Sequence, residues 1–168
     1  TQQSHQAGSN KSVFEVYRDA SVSLDWTPEL KQACDDAGIA FFTSPYAPDL
    51  VDHVDPYVPA YKIGSGDITW IELIRYIAGK QKPCILASGA STMDDVHRAV
   101  VAAVQINPRV ALMQCNTNYT ASPNNYDHLH VNVLKTYAAM FPDVILGLSD
   151  HTHAVAPVIG AVTLGARV

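Results

Sequence analysis

The sequence predicts an α/β protein built as part of a (β/α)8 barrel, and three observations carry that prediction. Five short apolar runs, at residues 39–44, 60–65, 84–88, 110–117 and 144–151, each stop on small polar or ionisable residues. Runs that are apolar on both faces suit buried parallel strands. The stretches between them carry helical periodicity. The units recur at an uneven pitch of about 20 to 35 residues, which suits a barrel better than a strict solenoid.

Taken in order, the polar residues 1–10 read as a loop ahead of a first helix, whose face is marked by Val13, Phe14, Val16 and Tyr17. Thr27-Pro28-Glu29 supplies a cap, a first-turn proline and a first-turn acid for a second helix that closes near Gly38. The first strand follows at once. Thr69 and Glu72 form a capping-box pattern, and Ile71, Ile74 and Tyr76 continue an apolar face to a stop at Gly79. Ser91 or Thr92 with Asp94 and Asp95 opens the next helix, in which Val96, Ala99, Val100 and Ala103 share one side. Leu129, Val133, Leu134 and Tyr137 stripe another, ended by Pro142. Residues 154–164 form a helix apolar nearly all round, stopped by Gly165, and a new strand is expected to begin at Ala166. Residues 116–127 are a long polar connection after a strand, a place where loops border pockets.

At 168 residues with 48% hydrophobic content the chain can bury a substantial core as one domain. A net charge of -5 argues against nucleic acid or an anionic membrane as partner, because counterion release needs clustered Lys and Arg. Small molecules are the expected ligands. Cys34, Cys84 and Cys115 are odd in number, show no metal-ligand spacing, and read as reduced core thiols. With no apolar stretch near the ~20 residues of a membrane span, and no cationic leader, a cytoplasmic protein is expected. Five strands cannot close a barrel of eight, so the chain is expected to be an internal piece with an open edge on each side.

Strand C-termini carry the chemistry of such folds, and here they hold Ser44, Lys62, Ser65, Ser88, Thr117, Ser149 and His151. Lys62 lies inside an apolar strand, where an ammonium needs an anion or carbonyl as partner; a neighbouring-strand ion pair is the bland alternative. Gly64 and Gly66 permit close backbone approach to a ligand, and Ser65 adds a hydroxyl. Asp67 reads equally as a contact for a sugar hydroxyl and as a helix cap. Ser149 and His151 point to one side of an extended chain. His151 stands open as metal ligand, general base or structural histidine, with Asp150 as its orienter or as a cap. Ser44, Ser88 and Thr117 suit phosphate oxygens or turn bonds alike. Tyr119 is a ligand contact or loop packing, and His128, His130 and His153 are expected in solvent.

Phe42-Thr43-Ser44-Pro45, residues 60–67, Cys115 through Tyr119, and Gly147 through Thr152 together resemble the sialic acid synthase (N-acetylneuraminate synthase) family. The spacing agrees along nearly the whole chain. The resemblance implies strands three to seven of an eight-stranded TIM barrel, an incomplete synthase domain over 1–168 with a C-terminal antifreeze-like domain outside it, and a homodimer in which that domain reaches across. It implies condensation of phosphoenolpyruvate with open-chain N-acetylmannosamine, or a related N-acetylated amino sugar, to a nonulosonic acid and phosphate, with a divalent metal, manganese, as cofactor. By it Ser44, Lys62, Ser65, Thr117 and Ser149 would hold phosphoenolpyruvate, His151 would ligate the metal, and Asp67 and Tyr119 would face the sugar. Lys62 and His151 then carry the catalysis.

Ala87 stands where many members have a phosphate-binding serine, so Ser88 takes that contact or the contact is lost. Thr120 replaces the usual proline after Tyr119, and Gly8 lies near a position where some members place a sugar-binding asparagine. Legionaminic and pseudaminic acid synthases share the barrel, so the sugar stays open. Lys62 is the one cation expected at a strand end, and the isolated 168-residue chain is therefore expected to be inactive. Two rival readings are a Schiff-base aldolase that uses Lys62 as nucleophile and a non-catalytic barrel remnant that binds sugar phosphates.

Overall fold

Short apolar segments that cannot satisfy their own backbone groups must pair, and four of the predicted runs do so in sequential order. In the computed structural model, which describes residues 12–120 and 122–168, β1 (Tyr61–Ile63), β2 (Cys84–Ala87), β3 (Val110–Cys115) and β4 (Ile145–Ser149) form one parallel sheet in the order β1-β2-β3-β4. The polar segment 1–10 and Gly8 lie outside the described residues.

The run at 39–44 does not become a strand. It makes a single bridge, Thr43 to Tyr61, with Lys62 N donating to Thr43 O at 3.2 Å. Ile39 and Phe42 are 61% and 44% exposed, so the burial that would fix an extended segment is missing there. At the other edge, Arg167 N donates to Leu146 O at 2.7 Å and Leu148 N to Val168 O at 2.9 Å. The expected new strand thus begins to pair alongside β4.

The helices are α1 (Val13–Asp19), α2 (Thr27–Asp36), α3 (Pro48–Val54), α4 (Ile71–Gly79), α5 (Met93–Val104), α6 (Val133–Met140) and α7 (Ala156–Thr163). Two open on capping boxes, Ser12 with Glu15 and Thr92 with Asp95, which satisfy first-turn amides that would otherwise lack partners. The box expected at Thr69 does not form: α4 starts at Ile71, and Trp70 at the N-cap makes no side-chain capping bond. Helix α3 was not expected from sequence. It carries a first-turn proline and Asp49, and it buries Val51 and Val54 one turn apart. Tyr61, fully buried, ties α3 to the sheet by donating its hydroxyl to Asp55 Oδ1 at 2.6 Å and Val51 O at 3.3 Å.

The crossover helices pack on one face of the sheet. Tyr61, Ile63, Cys84, Leu86, Val110, Leu112 and Leu146 share a core with Leu73, Ile74 and Ile77 of α4, Val96, Ala99 and Val100 of α5, Leu134 and Tyr137 of α6 and Ala161 of α7. Strand residues of the opposite parity, Ala87, Met113 and Cys115 with Ile85 beside them, form a separate small cluster that no helix joins. A parallel sheet wound on one side only is the plan of a barrel wall. The described cysteines are all free, and burial pushes the Cys84 thiol up to about 11, as suits an inert core thiol. Among the described residues no helix is long and apolar enough to cross a membrane.

Candidate functional site

Because all four strands run the same way, their C-terminal ends share one rim, and side-chain parity decides which residues reach its open face. The register aligns Lys62 with Ile85, Ile85 with Ala111 and Ala111 with Ile145. Paired residues of a ladder point to the same side, and so do residues two apart along a strand. Lys62, Ala87, Met113, Cys115 and Ser149 therefore face away from the helices. Ser44, one residue beyond the Thr43–Tyr61 bridge, falls on this face beside Lys62.

Ser149 lies four residues past the partner of Lys62, counted along these ladders. In a barrel wall whose strands tilt by about 36°, level positions advance by about one residue per strand. Three strand-to-strand steps absorb most of that offset, which brings Ser149 near the height of Lys62. The electrostatics agree. Burial, and then the Lys62 ammonium, hold the His151 imidazole below its ordinary pKa, while Asp150 pulls the other way. A neutral imidazole is the form that accepts a proton or ligates a metal.

Two hydroxyls from different strand ends meet across β2. Thr117 Oγ1 donates to Ser65 Oγ at 3.0 Å and accepts from Ala90 N at 3.3 Å. The contact exists because Gly89 has no side chain: a Cβ there would lie 2.2 Å from Thr117 Oγ1 and 2.6 Å from the Ser65 Cβ, and its φ of +125° suits glycine alone. Ser65 is buried, Thr117 half-buried, and the pair is held in a fixed mutual geometry.

Farther out, Tyr119 packs edge-on against His151, with ring centroids 4.4 Å apart at 68°. Burial raises the pKa of Asp67. Its Oδ2 folds back so that a Cβ on Gly64 would sit 3.2 Å away, which confirms close packing over the glycine turn. Tyr46 is a rim residue that sequence reasoning missed. Burial, then Asp67 and Tyr119, push its phenol up, so these three side chains share one neighbourhood. The available signal was an aromatic two residues past Ser44 in a loop leaving a predicted strand. Asp150 accepts from Thr152 N at 3.1 Å and Thr152 Oγ1 at 3.0 Å, so it caps the turn rather than orienting the imidazole.

Ser88 requires a correction. It has the parity of Leu86, which faces the helices, and it is 2% exposed. Its hydroxyl donates to Gln114 Oε1 at 3.0 Å and accepts from Cys115 N at 3.3 Å, while Gln114 Nε2 donates to Leu129 O at 3.0 Å. In this structure the Ser88 hydroxyl is therefore spent on a buried network with Gln114 and Cys115 rather than presented to a ligand.

In the segments that leave the strands, residues 62–67, 88–92, 115–120 and 149–153, Lys62 is the one Lys or Arg. Among the described residues no three His, Cys, Asp or Glu side chains group as a metal site. His151 fits a metal as a single donor. The rim thus offers one ammonium, a preset hydroxyl pair, further hydroxyls at Ser44 and Ser149, a neutral imidazole and a shielded carboxylate, a set suited to a small polyanion beside a polyol.

The NeuB family profile matches residues 1–168. The chain is 30% identical over 159 residues to a human N-acetylneuraminate-9-phosphate synthase, covering 94% of this chain and 44% of that protein. It is 28% identical over 160 residues to a pseudaminic acid synthase of Campylobacter jejuni, covering 94% and 46% respectively. The chain thus spans about half the length of the curated relatives it matches. Among solved structures, an N-acetylneuraminic acid synthetase from Leptospira borgpetersenii in complex with citrate superposes with a TM-score of 0.83 at 24% identity, over 96% of this chain and 56% of that one.

Proposed function

This chain belongs to the NeuB family, and from that premise we propose that it takes the place of strands three to seven of an eight-stranded TIM barrel, with the singly bridged 39–44 segment in the third position, in a synthase condensing phosphoenolpyruvate with an N-acetylated amino sugar. One water is consumed, and the products are a nonulosonic acid and phosphate. N-acetylmannosamine is the substrate we favour. The observation that carries the reading is the Ser65–Thr117 hydroxyl pair, set by Gly89, at the strand ends whose open face also carries Lys62 and Ser149.

Within that reading Lys62 meets the anionic phosphoenolpyruvate, where its charge gains strength in a water-poor setting. Ser65 and Thr117 donate to its oxygens once their mutual bond is exchanged for ligand bonds, and Ser44 and Ser149 face the same side as Lys62. Preset donors of this kind need little reorganisation as charge shifts during the reaction. Asp67 accepts from a sugar hydroxyl, with the Tyr119 loop bordering the sugar. His151, neutral at physiological pH, takes up or holds a proton at a ring nitrogen, or gives that nitrogen to a metal. A bound divalent ion, manganese in this proposal, would take His151 as one ligand and polarise the sugar carbonyl. Its other donors would come from outside the described cluster. We place the protein in the cytoplasm, as a homodimer.

The test is to supply the polypeptide containing this segment with phosphoenolpyruvate, an N-acetylated hexosamine and manganese, and to follow phosphate and nonulosonic acid together. Equal release of both supports the reading. A borohydride-trapped adduct on Lys62 would replace it with a Schiff-base aldolase. The 168-residue chain by itself is expected to release no phosphate above background.

A further inference from the structure

Tyr119 and His151 come from loops that follow adjacent strands, β3 and β4, and their rings meet at 4.4 Å with an angle of 68°. That geometry puts the edge of one ring against the face of the other, a favoured aromatic arrangement. The loop is built to present the tyrosine. Asn118 N donates to Asn116 O at 2.7 Å, and Asn118 Oδ1 accepts from Thr120 N at 3.0 Å and Thr120 Oγ1 at 2.7 Å, so a tight turn brackets residue 119.

The imidazole has little else to orient it. An active-site histidine is ordinarily fixed by a carboxylate or carbonyl on its second nitrogen. Here the adjacent carboxylate, Asp150, is engaged by Thr152. Among the described residues no hydrogen bond reaches either ring nitrogen of His151. The ring is half-buried, and it would rotate about its side-chain bonds if nothing packed against it.

We propose that Tyr119 is a positioning residue whose aromatic ring, through its edge contact, sets the orientation of the His151 imidazole. The phenol oxygen is not needed for this role. The functional meaning rests on the synthase reading above, but the contact is measurable without turnover.

The experiment compares the wild type with Tyr119→Ala, Tyr119→Leu and Tyr119→Phe in the whole protein. The His151 ring protons are followed by NMR in metal-free samples, and kcat and KM for each substrate are measured with manganese. The expected result is a ring-current shift on His151 in the wild type and in Tyr119→Phe, lost in both aliphatic variants. In Tyr119→Ala, kcat should fall roughly threefold to tenfold with KM for phosphoenolpyruvate little changed, and Tyr119→Phe should recover most of the lost kcat. The proposal is overturned if His151 signals are the same in Tyr119→Ala as in the wild type, or if Tyr119→Phe loses as much kcat as Tyr119→Ala. A wild type without condensation activity would refute the synthase reading, while the NMR comparison would still decide this one.

Discussion

Replacing Gly89 with alanine probes the geometry on which the hydroxyl pair depends. At φ +125° an L side chain is strained by about 1–3 kcal/mol. The new methyl would also lie 2.2 Å from Thr117 Oγ1 and 2.6 Å from the Ser65 Cβ, distances at which something must move. Separating those groups forfeits the Thr117 to Ser65 bond and the Ala90 to Thr117 bond, each contributing about 1 kcal/mol. The expected loss is therefore about 3–5 kcal/mol, a large share of a typical domain's stability. Urea unfolding of Gly89→Ala against wild type measures it. Thr117→Ala in the Gly89→Ala background removes the closest contact but leaves the one to Ser65, so the double variant should lose at least about 1 kcal/mol less than the sum of the singles. A Gly89→Ala variant within about 0.5 kcal/mol of wild type, the range of an ordinary surface change, would refute the reasoning.

Three further outcomes are expected. Ser88→Ala should cost about 1–3 kcal/mol, because it strands the Gln114 amide oxygen and the Cys115 amide in the core, yet leave KM for phosphoenolpyruvate unchanged; a marked rise in KM would return Ser88 to the ligand. Lys62→Met should raise the pKa of His151 in metal-free protein, read by NMR titration, and an unmoved pKa would separate the two side chains. Burial alone would raise the Asp55 carboxyl, but hydrogen bonds from Tyr61 and Lys82 outweigh it and hold its pKa below the ordinary value. Stability from this source is complete above the unfolded carboxylate's pKa, about 3.9, and is lost as pH falls through the lower folded value. Tyr61→Phe should shrink that acid-side loss, and an identical acid unfolding profile would contradict it.

The four strands were legible because apolar runs bounded by glycine, proline or polar residues have few other ways to be buried. The rim chemistry was legible for the same reason: a lysine inside such a run, or a histidine at its end, stands out against its surroundings. Other features were misread or missed. Residues 39–44 have strand composition, but composition cannot supply a partner ladder, and one bridge does not fix the segment. Helix α3 was within reach, since Pro48, Asp49, Val51 and Val54 are the start signals and spacing of a short helix. Ser88 was placed by its chemical type, but its bonds to Gln114 and Cys115, which no local pattern shows, decide what its hydroxyl does. Tyr46 and Gly89 depend on tertiary proximity to Asp67, Tyr119, Ser65 and Thr117, which no local pattern in their own segments encodes.

Lys62 and Ser149 come near a common height only by way of β2 and β3, two strands that contribute no charged group of their own to the rim. Those strands act as a ruler. Deleting a single residue from either would turn all that follows in it to the opposite face and misplace Ser149 and His151 relative to Lys62, with every reactive side chain still in the sequence. Changes of length can be absorbed in the loops that leave the rim, so new substrate preferences should arise through those loops while the strand lengths stay constant.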